Sequence, residues 1–152
     1  MKITSEKEQA KKSGLPWHAW LLGGIFLLYG AAAAYDYSMS LSQGEVYYRA
    51  SGMTEFQIAY FSAVPAWAVV GWTLSVWCGL FGSIALLLRH RFSVNLFLAS
   101  FTGGLIYILH VLVLSDGREA MGVLWLMPIV ISAVTIAMVL YCRRLKKLDV
   151  LR

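Results

Sequence analysis

Four apolar runs, separated by polar intervals, organise this chain. The cleanest covers residues 66–88, AWAVVGWTLSVWCGLFGSIALLL, and carries no charge. At about 1.5 Å per residue it predicts a helix of roughly 35 Å, long enough to cross the apolar slab of a bilayer with some tilt. Pro65 stands just before it, where a missing N–H costs nothing, and Arg89, His90 and Arg91 end it. Residues 15–35, 92–114 and 120–142 form the other three runs. The first has Trp17 and Trp20 at its start and Tyr35 and Tyr37 at its end, the anchors expected at two membrane–water interfaces. A tight basic turn joins the second run to the third. A short loop with the turn signal Asp116-Gly117 joins the third to the fourth, and Asp116 and Glu119 are candidate caps for the helix that follows. The pattern predicts one all-α domain over residues 1–152, a bundle of four transmembrane helices with no internal repeat.

The polar interval 36–65 predicts short interfacial helices rather than a bare loop. Ser42 with Glu45, and Thr54 with Gln57, have capping-box spacing, and Gly52 can stop the first helix. In the second, Phe56, Ala59, Tyr60 and Ala63 fall on one helical face. An amphipathic helix of this kind either lies among lipid headgroups or sets the angle of the next span.

Within the spans, small residues mark packing faces. Gly71, Ser75, Gly79 and Ser83 are each four apart, and Ser100 and Gly104 repeat the spacing in the third run. Small-xxx-small patterns let helices approach closely, although Gly and Ser are also common in membrane helices generally. A stripe buried within one copy favours a closed bundle with little room for a solute; a stripe facing lipid favours a homodimer and keeps a carrier in play. Pro128 lies in the fourth run, where proline is expected to kink the helix and free a carbonyl near Leu124.

Composition sharpens the class. Of 152 residues, 59% are hydrophobic and 14% are charged. Soluble domains carry about 25% charged residues, so an ordinary soluble domain is excluded. The net charge of +5 is not spread over one face. Lysine and arginine gather before the first run, in the turn at 89–91 and after the fourth run; only Arg49 and Arg118 fall on the other side, among Asp36, Glu45, Glu55, Asp116 and Glu119. The positive-inside rule then predicts both termini in the cytoplasm and the 36–65 loop outside. The basic tails, 1–14 and 143–152, are placed against anionic lipid headgroups, and no basic surface interleaved with aromatics points to nucleic acid. Residues 31–34 could mimic a signal-peptide cleavage site, but the apolar run is longer than a signal's core and holds two tryptophans, so it reads as retained. Cys78 and Cys142 lie at different depths and read as free thiols.

Candidate chemistry is sparse. The chain has no GxSxG, HExxH, CxxC or Walker motif, and it implies no metal or cofactor. His18, His90 and His110 fall in different segments. His110 lies about one turn inside the outer end of the third run, and Asp36 ends the first at a similar level. Either the two form a pair that responds to external pH, or His110 bonds to the backbone while Asp36 is solvated. Asn95, a turn inside the opposite surface, can bridge helices or touch a solute. The other interior polar candidates are Ser75, Ser100, Thr102 and Tyr107. Trp67, Trp72 and Trp77 are five apart, each turned about 140° from the last, so they form no stacking stripe. Tyr47, Tyr48, Tyr60 and Phe61 make the outer loop aromatic, as a membrane anchor or as a lid that stacks on a ligand.

Several stretches resemble a family of small four-span bacterial inner-membrane proteins of unknown function, often labelled "sugar transporter" without a mechanism. They are Trp17 to Trp20, Asp36-Tyr37 with Met39, Tyr60-Phe61, Pro65-x-Trp67, Val76-Trp77-x-Gly79-x-x-Gly82-Ser83 and Leu86-Leu87-Leu88-Arg89. The resemblance implies the four-span topology in a bacterial cytoplasmic membrane. The family tends to have Trp-Asn in the middle of the first span and Gly-Ala before the acidic residue; this chain has Tyr29-Gly30 and Ala33-Ala34. Two functions follow. One is a non-enzymatic accessory protein that engages a membrane-protein partner through helix packing and its outer aromatic loop. The other is an oligomeric carrier of a small solute such as a sugar. A lipid-modifying enzyme using Asp36, His110 and Asp116 is a weaker third, lacking any motif. Labelling of intact cells is expected to find both ends protected and the 36–65 loop accessible; ends on opposite faces would overturn the topology.

Overall fold

The computed structural model describes residues 14–152, so the lysine-rich start lies outside the described residues. Its elements are α1 (Trp17–Gln43), α2 (Glu45–Ala50), α3 (Glu55–Ser62), α4 (Ala66–Leu87) and α5 (Ser93–Leu109), which continues into a π-helical turn (His110–Leu114). Then come α6 (Gly117–Met121), a 3-10 turn (Gly122–Leu126) and α7 (Met127–Lys147). The segments Trp17–Gln43, Ala66–Leu87, Ser93–Leu114 and Gly117–Lys147 are each long and apolar enough to cross a membrane. The chain is therefore a small all-α membrane protein built on four long helices, as the hydropathy pattern predicts.

The central pair is α4 and α5. A Cβ added at Gly103 would lie 2.5 Å from the carbonyl oxygen of Gly71, so the two backbones touch and only glycine fits. One turn along, Ser100 Oγ donates to the Ser75 carbonyl at 2.6 Å, beside Gly79. Ser83 is fully buried and returns its hydroxyl to Leu80 O at 2.7 Å. The small stripe is thus internal, facing α5 rather than lipid. On the other side of α4, Gly30 of α1 sits against Leu80. On the other side of α5, Gly104 admits Ser132 of α7. The packing order is α1–α4–α5–α7.

The end that carries the termini is closed by a core of Leu86, Phe97, Val139 and Cys142, joined by Leu15 and Ala19. The sequence placed residues 143–152 in a surface tail. Instead α7 runs on through Lys147, and the chain then folds back. Asp149 takes a positive φ of 56°, Val150 N–H reaches Leu145 O at 3.0 Å, and Val150 and Leu151 are buried. Arg152 N–H donates to Arg89 O at 2.7 Å, and Arg91 N–H donates to Arg152 O at 2.9 Å. The apolar pair Val150–Leu151 fills the end of the core, which outweighs leaving it in water. α4 stops in the same manner: Arg89 has φ 61° and His90 N–H reaches Ala85 O at 2.7 Å.

The loop end departs from expectation in five places. α1 runs to Gln43, well past Tyr35, because Tyr37 and Ser40 continue its buried face against α4. Tyr37 is hydrogen-bonded to Thr73 Oγ1 at 2.6 Å, and its ring meets Trp72 edge-on at 4.9 Å. Asp36 is therefore inside a helix rather than at its end. No capping box forms at Ser42 and Glu45, because the chain turns at Gly44, with φ 52° and its N–H on Ser40 O. The box at Thr54 and Gln57 does form, and Gly52 ends α2 with φ 76°. The buried residue of α3 is Ile58, whereas Phe56, Ala59 and Ala63 are exposed. Gln57 holds that orientation by donating to Ala120 O at 3.0 Å. Finally, Pro128 stands in the first turn of α7 instead of kinking it, and the carbonyl of Leu124 takes the N–H of Met127 within the 3-10 turn. Asp116 occupies the cap position of α6 but makes no side-chain cap bond.

Gly103→Ala is expected to destabilise the detergent-solubilised protein by about 1–3 kcal/mol, since the neighbour is backbone and cannot yield. Gly24→Ala, whose Cβ would meet nothing within 4 Å, is expected to cost nothing. Equal loss in thermal unfolding would refute the close α4/α5 contact.

Candidate functional site

α1 and α7 meet at the terminal end, where His18 Nδ1 is hydrogen-bonded to the Tyr141 hydroxyl. They part toward the loops. Near Thr135 the space between Phe26, Gly30 and α7 is about 40 Å³. Beyond Ile131 it widens to a cavity of about 500 Å³ bounded by all four long helices and the loops.

The floor is made where small residues cross. A Cβ at Gly104 would lie 3.0 Å from Ser132 Oγ and 3.5 Å from Ser75 Oγ, so two hydroxyls from α4 and α7 converge over a glycine of α5. Thr73, Ser83, Thr102 and Thr135 return their hydroxyls to carbonyls of the preceding turn. Ser75 and Ser132 make no such bond among the described residues, which leaves both hydroxyls available to the cavity.

The walls are aromatic. Trp72 and Tyr107 lie nearly parallel with ring centres 6.0 Å apart, and Tyr29 of α1 faces the same space. The roof is Tyr48 of α2 and Phe61 of α3, with ring centres 6.0 Å apart. A second chamber of about 320 Å³ continues past Ser40 and Glu45, sharing Trp72, Tyr107, Tyr48 and Phe61 with the first.

Among the described residues one charged side chain lines the larger cavity, Asp36. The Tyr47 hydroxyl donates to its Oδ1 at 2.8 Å. That hydrogen bond to a carboxylate holds the Tyr47 phenol above the ordinary tyrosine pKa. The nearby cation Arg49 is engaged elsewhere. It pairs with Glu55 through both guanidinium nitrogens, one at 3.0 Å, and lies 4.0 Å from Glu45.

The structure brings Asp36, Ser75, Gly104 and Pro128 of the predicted residues to this cavity, together with Tyr107 and with Tyr48 and Phe61 of the aromatic loop. His110 is elsewhere. It is 7% exposed, stacked on Tyr60 at 6.2 Å and met edge-on by Trp67 at 5.5 Å, and its Nε2 has no hydrogen-bond partner among the described residues. Ser115 Oγ donates to His110 O at 2.7 Å and is bonded to the Tyr60 hydroxyl at 2.9 Å, which fixes the π-helical turn. Asp36 thus bonds to Tyr47 rather than to His110. Asn95 is exposed and lines neither chamber. His90 Nδ1 accepts from Phe92 N–H at 3.2 Å, apart from His18. Among the described residues no cluster of His, Cys, Asp and Glu could hold a metal ion.

Tyr29, Trp72 and Ser132 are cavity residues that sequence reasoning did not assign to a site, whereas Tyr48 and Phe61 belong to the aromatic loop it named as a possible lid. The available signal was the polar hydroxyl of Ser132 in an apolar run, one turn beyond Pro128. Compared with protein-family models, with curated proteins and with solved structures, the chain matches none.

His110→Ala and Asp36→Asn are expected to have additive effects on thermal stability, within about 0.5 kcal/mol, because the two residues share no contact. A larger coupling in the double variant would mean that they meet.

Proposed function

We propose that this membrane protein is a non-enzymatic carrier that holds a small solute between α1 and α7. The observation behind the reading is the cavity of about 500 Å³, walled by aromatics with a few polar groups. Small-ligand sites run from about 300 to 1,000 Å³ with that kind of lining. The burial of the small stripe does not close the bundle, because the space opens between α1 and α7 rather than between α4 and α5.

The membrane is read as the bacterial cytoplasmic membrane, with both termini inside. Exposed Arg143, Arg144, Lys146 and Lys147 then meet anionic headgroups, while Glu45 and Glu55 face outward. The outer aromatic loop acts as a lid, through Tyr48 and Phe61. Four helices enclose only part of a path, so the carrier works as an oligomer. An accessory role with a membrane-protein partner is the second reading, favoured by the parting of α1 from α7, which would admit a partner helix. Nucleic acid is not a partner in either reading, and a sugar-transporter likeness belongs to the first.

Uptake of a panel of small sugars and amines into reconstituted vesicles tests the ranking. Accumulation of one solute that falls to background in Ala33→Trp, which puts an indole into the cavity, is the expected result. Absence of flux together with a stably co-purifying membrane protein would reverse the order.

A further inference from the structure

We propose that the solute is a small organic cation, an amine or quaternary ammonium, held with its charge toward Asp36 and its apolar part on Trp72 and Tyr107. The inference rests on the carrier reading above and names its substrate class.

Charge is the first argument. Among the described residues Asp36 is the one ionic side chain lining the larger cavity, and the adjoining chamber adds a second carboxylate, Glu45. No lysine, arginine or histidine among the described residues lines either chamber. Arg49 lies 4.0 Å from Glu45 but makes its close, two-nitrogen pair with Glu55. Tyr47 supplies one neutral hydrogen bond to Asp36 Oδ1, which leaves its negative charge uncompensated and most of its acceptor capacity open. Asp36 is exposed to that space, so its carboxylate repels an anionic solute and attracts a cation, the more strongly as the bound solute displaces water.

The walls make the second argument. Trp72, Tyr107, Tyr48 and Phe61 present four aromatic rings to the shared part of the two chambers. Ring faces attract ammonium groups, most strongly when water is excluded, and aromatic enclosures are the usual means of holding quaternary ammonium.

Hydrogen-bonding capacity makes the third. Besides Asp36 and the tyrosine hydroxyls, the larger cavity offers the hydroxyls of Ser40, Ser75 and Ser132. A sugar stripped of water in this apolar space would leave several hydroxyls without partners, each at a cost. A quaternary ammonium needs no hydrogen bonds at all.

Isothermal titration of the full-length protein in detergent, with three probes, tests the proposal. The probes are choline, its uncharged carbon isostere with a tert-butyl group in place of trimethylammonium, and glucose. Choline is expected to bind at least about tenfold more tightly than either neutral probe. Asp36→Asn should erase that gap while leaving the isostere unchanged. Tyr47→Phe, which removes a neutral donor from the carboxylate, should preserve or strengthen choline binding. If Asp36→Asn does not fold, the wild-type comparison of choline with its isostere still decides. Equal affinities, no choline binding, or a gap that survives Asp36→Asn would overturn the cation assignment. Uptake of another solute that Ala33→Trp abolishes would then leave the carrier reading standing; loss of that uptake as well would remove both.

Discussion

In hydrocarbon, apolar side chains gain nothing by leaving lipid for one another, so helices associate through close packing and hydrogen bonds. Here that requirement falls on the contact of α4 with α5. Gly71 and Gly103 bring the backbones together, and Ser100 spans from one helix to a main-chain oxygen of the other. A side chain larger than hydrogen at Gly103 would separate them. Both outer helices depend on this pair, because α1 packs on α4 and α7 packs on α5. The stripe, which the spacing alone left open between a closed bundle and a homodimer, is used in building one copy.

That arrangement explains why there is a cavity. In a closed bundle each helix is braced by two neighbours. α1 and α7 are each braced along their length by one member of the central pair, and they are joined to one another at the terminal end. There Leu86, Phe97, Val139 and Cys142 fill the core, and the returning chain adds Val150 and Leu151. No equivalent plug occupies the loop end. Its cover comes from α2 and α3, short helices held by the Thr54 capping box, the bond from Gln57 to Ala120 O and the Arg49–Glu55 pair. Surface pairs of this kind contribute little free energy, so the cover is the less firmly held end.

The spans were legible in the sequence because burial in lipid writes itself as uninterrupted apolar runs. The short helices were legible where local chemistry decides, at Thr54 with Gln57 and at Gly52. The end of α1 was not, since its continuation depends on Tyr37 and Ser40 meeting a helix that begins much later in the chain. The fate of the last residues was hidden for the same reason: Leu151 reads as part of a basic tail until Phe97 and Leu86 are beside it. Asp36 and Ser75 were visible as polar residues worth explaining. That they share a cavity with Ser132 follows from the lateral order of four helices, which hydropathy does not encode. His110 drew attention for a sound reason, the cost of a polar ring in an apolar span. Its neighbours turned out to be the rings of Tyr60 and Trp67 rather than an acid.

The irregular backbone follows the same division. Within a membrane, departures from the α-helix are tolerated where protein covers them or where they border a cavity. Both departures in the long helices lie at the loop end, the π-helical turn at His110–Leu114 and the 3-10 turn at Gly122–Leu126. The first is covered at its start, where Ser115 Oγ donates to the His110 carbonyl and is itself bonded to the Tyr60 hydroxyl. The second precedes Pro128, and Met121, Leu124 and Met127 around it line the cavity. α7 therefore begins its regular course at the cavity wall, with a flexible methionine on either side of the turn. The irregular turns and the cavity thus share one end of the bundle, while the other end is filled by buried apolar side chains.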